Sequence, residues 1–597
     1  VRPAGRDPSA PAASFDDLRP GAGCPSLRFG AAEQEIVAWT LDEVPAAIEA
    51  AQAAAESGRW AFGFVAYEAG AGLDPALPAV EPEPGLPLVW FGLADAPVAA
   101  PERDEPGEFH TREWAIEWSR EEFGERVEAV RAAIAAGETY QCNLTTRMRS
   151  GVRGDLFAYY RALAGSQRGA FNAYLDLGRW VVLSASPECF LDWDGRVLTS
   201  VPMKGTARRA PTPARDEAAR AALVRSPKDL AENVMIVDLI RNDMTKVARP
   251  GSVEVSELFA CEKYPTVWQL TSTVRARTRP GIGLVDVFAA MFPCGSVTGA
   301  PKVRTMQILA GLDSSPRGVY CGAVGYVAPP AGPGGRPRAR FNVAIRTVVV
   351  DRTDGTATYG VGGGITWGST PRGEYAEVLA KSAVLEAARA PAAAVDLLET
   401  FAVRAGRAVN LAQHLDRMQS SAAYFDVPFE RGDALARVDA AAADLGEAVV
   451  RLRLRPDGAL LIEPRDPDPA PDGPVELVID DVPVDPASPY LAHKTSRREV
   501  YEHARARHPG SGDVVLVNSA GRVTETTVAN LLVRLGDSWF TPPVGDGCLP
   551  GVGRRLELEA GRVSERSLTV ADLRAADEIH VVNSARGRRP ARLRQRP

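Results

Sequence analysis

Cysteine and histidine are scarce. Seven cysteines and six histidines are spread over 597 residues, the cysteines never in C-x-x-C spacing and the histidines never as H-E-x-x-H. That excludes a disulfide framework and a zinc knuckle and suits a reducing compartment. No stretch reaches the roughly 18 consecutive apolar residues of a membrane span. The opening VRPAGRDPSAPAASFDD holds no apolar core of a secretory signal. A basic excess is also missing: the formal charge is -7, which argues against a dedicated nucleic-acid binder. The expectation is a cytoplasmic protein whose partners include neither nucleic acid nor membrane.

What is present is an ordinary globular composition, 45% apolar and 24% charged, in a chain too long for one domain of about 100–200 residues. Residues 1–25, rich in Pro, Gly and Ala, read as a flexible tail. A composition shift at EAARAPAAAVD (386–396) divides the rest into a domain over 26–390, a linker over 391–396 and a second domain over 397–597. Apolar periodicity predicts helices over 42–57, 119–136, 228–241, 300–311 and 373–389. It predicts strands over 60–67, within 170–202, and over 319–327, 341–350 and 357–366. The second domain restarts with a strand–turn–strand at LLETFAVRAGRAVNL and a helix over 412–425. The basic end, RGRRPARLRQRP, reads as a solvated tail, and no internal repeat relates the two halves.

Several segments carry chemistry. PMKGTARR sets Lys204 between a proline and a glycine, where a turn would expose its amine. A lysine can act as a nucleophile when desolvation or a neighbouring cation lowers its pKa. Alone, it reads equally well as a solvated turn lysine. GEYAEVLAK places Glu374, Glu377 and Lys381 on one helical face. Two carboxylates there could hold Mg²⁺, which takes oxygen ligands, or could simply form a surface ion pair. LAENVMIVDLIRND carries Glu232, and SASPECFL offers Glu188 just after a proline. FNVAIRT buries Arg346 at the end of an apolar strand, where a guanidinium needs a carboxylate partner from the protein or a ligand. YGVGGGIT lets backbone N–H groups approach a ligand, but it is not G-x-G-x-x-G, and GSVTGAPK is not a P-loop.

YQCNLT, SPECF, PMKGT, LAENVMIVDLIRND, FPCGSVTGAPK, GAVGYV, FNVAIRT, GVGGGIT and the E-Y-x-E-x-x-x-K helix occur in this order. Over residues 26–388 the set resembles the chorismate-utilising enzymes. The resemblance implies a large α/β (α+β) domain, a β-sandwich with helices outside, that binds chorismate and Mg²⁺. It implies that Glu232, Glu374 and Glu377 are the metal carboxylates and that Glu188 is the acid near the C4 hydroxyl. Gln141, Thr206, Tyr326, Arg346, the backbone of Gly362, Gly363 and Gly364, and Lys381 are implied to bind substrate. Isochorismate and salicylate synthases carry a water-activating lysine where this chain has Gln141. Anthranilate synthases carry alanine where it has Lys204. A lysine in PMKGT is similar to the branch that makes 4-amino-4-deoxychorismate, with Lys204 as a covalent nucleophile. No G-x-C-x-G glutaminase turn is visible, so the ammonia would come from free ammonium or from a separate glutamine amidotransferase subunit, and the subunit is the expected partner.

In the second domain, Lys494 precedes a helix and Glu525 follows across a strand–turn–strand. LPGVGRR and VNSARG are turns suited to a phosphate, and Arg417 adds a cation. The ordered set resembles the class IV (fold-type IV) pyridoxal-phosphate enzymes, a smaller α+β fold that usually dimerises. Lys494 is then implied to form the Schiff base and Glu525 to pair with the ring nitrogen. Arg417, Val552, Gly553, Asn583 and Ser584 are implied to hold the phosphate of pyridoxal 5'-phosphate. Lyase and aminotransferase share these parts; beside a chorismate-aminating domain, the implied activity is the lyase that releases pyruvate and 4-aminobenzoate. The alternative is an anthranilate synthase with an aminotransferase-like or non-catalytic second domain.

Overall fold

The computed structural model describes residues 11–19, 26–99, 107–332, 334–389, 395–466 and 473–594. The chain divides into two compact units that change over between Ala392 and Ala393. The segment Arg209–Ala219, inside the range expected for the first domain, is counted with the second unit. There Arg209 pairs with Asp216 at 2.7 Å, and its guanidinium lies 4.3 Å from the ring centroid of Tyr424. The 391–396 linker falls largely outside the described residues. Among the described residues, no helix is long and apolar enough to cross a membrane.

The first unit holds two ten-stranded sheets. Its named strand pairs are all antiparallel, as in Gln141–Gly154 against Thr356–Ile365 and Trp60–Val65 against Ala323–Ala328. Strict alternation explains why the sheets stack. On Trp60–Val65, Phe62 and Phe64 face a core shared with Leu175 and Val182 of the other sheet, while Ala61 and Val65 face helices. On Trp180–Ser186, Val182 faces inward, and Val181 and Leu183 face the helices Arg120–Ala135, Leu156–Gln167 and Pro371–Arg389. The helices Val44–Glu56, Pro227–Thr245 and Leu284–Met291 cover the second sheet. This is a sandwich with helices on both outer faces.

Two expectations about tails are corrected. Ala13–Asp16 is no flexible tail but a buried strand paired with Phe171–Asp176. The basic C-terminal stretch contributes the strand Gly587–Leu593, which pairs with Glu578–Asn583 and Val475–Ile479. Its alternating small and apolar residues, Ala591 and Leu593, pack against that unit's core.

The second unit has a four-stranded sheet and a nine-stranded mixed sheet. The small sheet packs Phe401, Val450, Leu452 and Leu454 against the helices Leu411–Phe425 and Arg431–Ala443. The large one contains the parallel pairs of Val475–Ile479 with Asp513–Val517 and with Gly587–Leu593.

Candidate functional site

In the first unit, a cavity of about 270 Å³ is lined by Glu188, Lys204, Thr206, Glu232, Arg346, Gly362, Gly364, Glu374, Glu377 and Lys381. Residues separated by up to 193 positions in the chain thus meet in one place. Lys204 is not on an exposed turn. It lies on the strand Met203–Arg208, whose pairing shifts register between Met203 and Thr206, so the amine points into the cavity. Its carbonyl accepts Asn233 Nδ2 at 3.2 Å, and Asn233 Oδ1 accepts Ser272 Oγ at 2.6 Å. Burial lowers the Lys204 pKa, and the Lys381 ammonium adds to this.

Glycine is required at 364. A Cβ there would lie 2.2 Å from Gln141 Nε2 and 2.8 Å from Lys204 Nζ. Gln141 itself is buried against this point, and its Oε1 has no hydrogen-bond partner among the described residues. Thr206 Oγ1 donates to Gln269 Oε1 at 2.9 Å on the cavity's rim. Burial pushes the Glu188 carboxyl up to about 7, against the opposing pull of Ser296 and Lys204, and its Oε1 is also unpartnered among the described residues.

Arg346 sits between the strands Arg338–Val343 and Thr347–Asp351 with φ of +52°, a conformation uncommon for a residue with a side chain. Among the described residues no carboxylate pairs with it, and it donates only to Gln167 Oε1 at 3.2 Å. The partner that a half-buried guanidinium needs is therefore left to a ligand.

Glu374 and Glu377 both reach Gly363, whose added Cβ would stand 3.4 Å from Oε2 of the one and Oε1 of the other. Glu377 accepts from Lys381 Nζ at 2.6 Å, and the same ammonium donates to the Gly362 carbonyl at 2.8 Å. Burial raises Glu374 and Glu232; on Glu377 burial is outweighed by Lys381, which brings it below its ordinary value. The cavity is not the basic pocket that a dianion suggests. Glu188, Asp229, Glu232, Glu374 and Glu377 face Lys204, Lys228, Arg346 and Lys381 there. An added dianion therefore calls for more positive charge. The oxygen donors suit a hard divalent cation in kind. As they stand, among the described residues no three acidic, His or Cys side chains close around one point.

One substrate residue is misplaced in the sequence reading. Tyr326 does not face this cavity. On Ala323–Ala328 it shares a face with Val324, turned toward the inter-sheet core, where it meets Phe15 and Trp60 at centroid distances of 5.1 and 5.7 Å. It lines a separate cavity with Asn172 and Arg340. Tyr320 and Tyr359 line the first cavity instead.

The second unit has its own cavity, about 570 Å³, lined by Arg417, Lys494, Glu525, Val552, Asn583 and Ser584 among others. Gly553 lies just behind, packed so closely that a Cβ would be 2.9 Å from the Asn583 carbonyl carbon. Lys494 is fixed at the base because its carbonyl accepts the Leu398 N–H at 2.8 Å. Burial, with Arg417 and Arg498, lowers its pKa to about 8. Burial raises Glu525 to about 7 even though Tyr501 Oη and Asn530 Nδ2 donate to it at 2.8 and 3.1 Å.

Sequence reasoning missed the residue at the centre of the candidate anion-binding side. Buried Glu399 accepts Arg417 at 2.6 and 2.8 Å and His414 Nδ1 at 2.5 Å, and His414 Nε2 meets Ser584 Oγ at 2.8 Å. Burial alone would raise Glu399; Arg417 and His414 hold it down at about 2. One carboxylate so orients two of the candidate anion-binding side chains. Its only signal in the sequence was an acid inside the apolar run LLETF. The helix Val552–Glu559 begins at the same cavity, so its free N–H groups add to the anion-binding set.

Residues 24–387 match the chorismate binding enzyme family, and the chain belongs to that family. Residues 396–593 match the class IV aminotransferases, a domain type that implies pyridoxal phosphate. Among curated relatives, aminodeoxychorismate synthase component 1 of Klebsiella aerogenes is 38% identical over 299 residues, half of this chain and 63% of that protein. Anthranilate synthase component 1 of Streptomyces coelicolor is also 38% identical, over 291 residues, 48% of this chain and 55% of that one. The chain thus spans less than two thirds of either relative, and identity does not choose between them. A putative 2,3-dihydroxybenzoate-specific isochorismate synthase from Bacillus anthracis shares the fold. Its TM-score is 0.51 at 17% identity, covering 64% of this chain and 96% of that one.

Proposed function

We propose that the chain makes 4-aminobenzoate in two steps, aminating chorismate in the first unit and releasing pyruvate in the second. The observation that carries the first step is Lys204 in the cavity, its amine desolvated and set against Gly364 beside Gln141. Lys204 Nζ forms a bond to C2 of chorismate as the C4–O bond breaks. Glu188, protonated near neutrality, gives its proton to the departing hydroxyl, which leaves as water. Ammonia then bonds to C4 and the lysine is expelled from C2, which gives 4-amino-4-deoxychorismate. Arg346 and Lys381 hold carboxylates. The donor set of Glu374, Glu377 and Glu232 would hold Mg²⁺, which supplies the positive charge that the dianion lacks. Lys381 pairs with Glu377, one of those carboxylates, at 2.6 Å, so Glu377 would have to be shared between the ammonium and the ion. Ammonia comes from a separate glutaminase subunit, a reading supported by relatives named as component 1.

The second unit fits pyridoxal phosphate: an amine of lowered pKa, a buried carboxyl to hold a proton on the ring nitrogen, and an anion cradle meet in one cavity. Bound there, it supplies an electron sink for the bond broken at the amine-bearing carbon. With it bound, Lys494 would take the proton from that carbon as the neighbouring C3–O bond to the enolpyruvyl group breaks and pyruvate leaves; Glu525 would hold the proton on the ring nitrogen, and Arg417, Ser584, Asn583 and the Val552 N–H would hold the phosphate.

The test is incubation with chorismate, Mg²⁺, ammonium and pyridoxal phosphate. Equal yields of 4-aminobenzoate and pyruvate are expected; anthranilate as the main product overturns the reading.

Two smaller predictions follow from the first cavity. Arg346→Gln removes a charge-assisted carboxylate contact and should raise KM for chorismate about 10–100-fold with kcat nearly kept; an unchanged KM removes Arg346 from the grip. Adduct formation without ammonia needs Lys204 neutral and Glu188 protonated. Its rate should climb with pH to about 7, level off, and fall above the lowered pKa of the lysine. In Glu188→Gln the descending limb should vanish, leaving a plateau at high pH. A descending limb in the variant would show that another group supplies the proton.

A further inference from the structure

We propose that an arginine wall in the second cavity, formed by Arg451, Arg465 and Arg498, selects amines that carry two carboxylates over ordinary α-amino acids. The substrate's identity rests on the lyase reading above; the selectivity itself does not.

The wall follows from strand alternation. On Glu447–Leu454, Val450, Leu452 and Leu454 point into the small sheet's core, so Val449 and Arg451 point the other way, into the cavity. Leu398 and Thr400 continue that face on the neighbouring strand. The register pairs Arg451 with Glu463 and Val449 with Arg465, so the two arginines are diagonal neighbours on one face. Arg498 enters beside them just ahead of the helix Glu499–Arg507, donating to the Thr527 carbonyl at 2.9 Å.

Three cations therefore stand on one side with little to balance them among the described residues. Glu463 is divided between Arg453 at 3.1 Å and Arg465 at 3.3 Å, and among the described residues Asp466 is the acid that lines this part of the cavity. Arg451 has neither an ion pair nor a hydrogen bond among the described residues, although it is half-buried. Burial and then Arg465 push its pKa below the usual arginine value. A half-buried guanidinium crowded by like charges is unfavourable unless an anion completes it. The cofactor's anion does not fill this role, because Arg417, Ser584 and the helix start lie on the phosphate side. The surplus here suits two carboxylates; one carboxylate would leave a cation unmatched.

The experiment loads the full chain with pyridoxal phosphate and titrates isophthalate, a dicarboxylate, and benzoate, its monocarboxylate counterpart. Binding is followed by the bound cofactor's absorbance, which reports the second cavity alone. Isophthalate should bind about 10–100-fold tighter than benzoate. Arg451→Gln should abolish that advantage and Arg451→Lys should restore part of it, with cofactor loading unchanged. If Arg451→Gln does not load, Arg465→Gln, on the exposed end of its strand, makes the same comparison and should also lose the advantage. Equal affinities in the unaltered protein, or a preference that survives these variants, would overturn the proposal. A dicarboxylate preference in a protein that forms no 4-aminobenzoate would leave the selectivity standing and sink the lyase reading instead.

Discussion

Replacing Lys204 by alanine is expected to stop amination of chorismate, with a loss of at least about 10⁴-fold, the scale on which removal of a nucleophile registers. The variant should also fail to gain the mass of a chorismate-derived adduct when ammonia is withheld. The fold gives this variant a clean meaning. Lys204 is anchored through its backbone carbonyl by Asn233, itself held by Ser272, so truncation removes the amine and leaves the strand in place. The effect on 4-aminobenzoate formation should be confined to the first step. Supplied 4-amino-4-deoxychorismate should still be converted, because Lys494 belongs to the other compact unit. Unchanged 4-aminobenzoate formation from chorismate would show that Lys204 is not the nucleophile.

Lys494→Ala is expected to reverse that pattern. Chorismate should still be consumed, 4-amino-4-deoxychorismate should accumulate, and release of pyruvate and 4-aminobenzoate should fall by about 10³-fold or more, within reach of a lost general base. At a pKa of about 8 the amine is neutral far more often near neutrality than a solvated lysine, which suits a proton acceptor. Arg417, Ser584 and the helix start, the residues proposed for the phosphate, do not depend on the Lys494 side chain, so the variant should keep measurable affinity for pyridoxal phosphate. Chromatography of both products separates the outcomes; continued 4-aminobenzoate release at the original rate would move the base elsewhere. Together the two lysine variants divide the activity at the boundary between the units.

Most of the first site was legible because its residues lie in short, distinctive segments. Lys204, Glu232, Glu374, Glu377 and Arg346 line one cavity, as their motifs implied. Tyr326 was not legible in this way. Alternation along Ala323–Ala328 shows that Tyr326 and Val324 share a face, but which face meets the other sheet depends on how the sandwich closes. Glu399 and Arg451 escaped for a related reason. Each is a charged residue inside an apolar strand run, and only the packing of the small sheet turns them into the organiser of an anion cradle and an unpaired cavity cation. The tails were misjudged because composition alone cannot register a strand that finds its hydrogen-bond partners some 160 residues away, as Ala13–Asp16 does with Phe171–Asp176.

By itself the sequence carried two separate motif sets, the reactive residue types within them, and an expectation against zinc, disulfide and membrane-spanning designs. These depend on residue identity and local spacing, which the chain carries directly. The tertiary structure decided the environment of each group. It drew Lys204 from an apparent turn into a desolvated cavity, left Arg346 without a carboxylate among the described residues, and set more acids than bases around the site proposed for a dianion. Desolvation and Coulomb interactions depend on neighbours brought together from distant segments, so the shifts in the pKa values of these groups emerge only once the sheets have stacked.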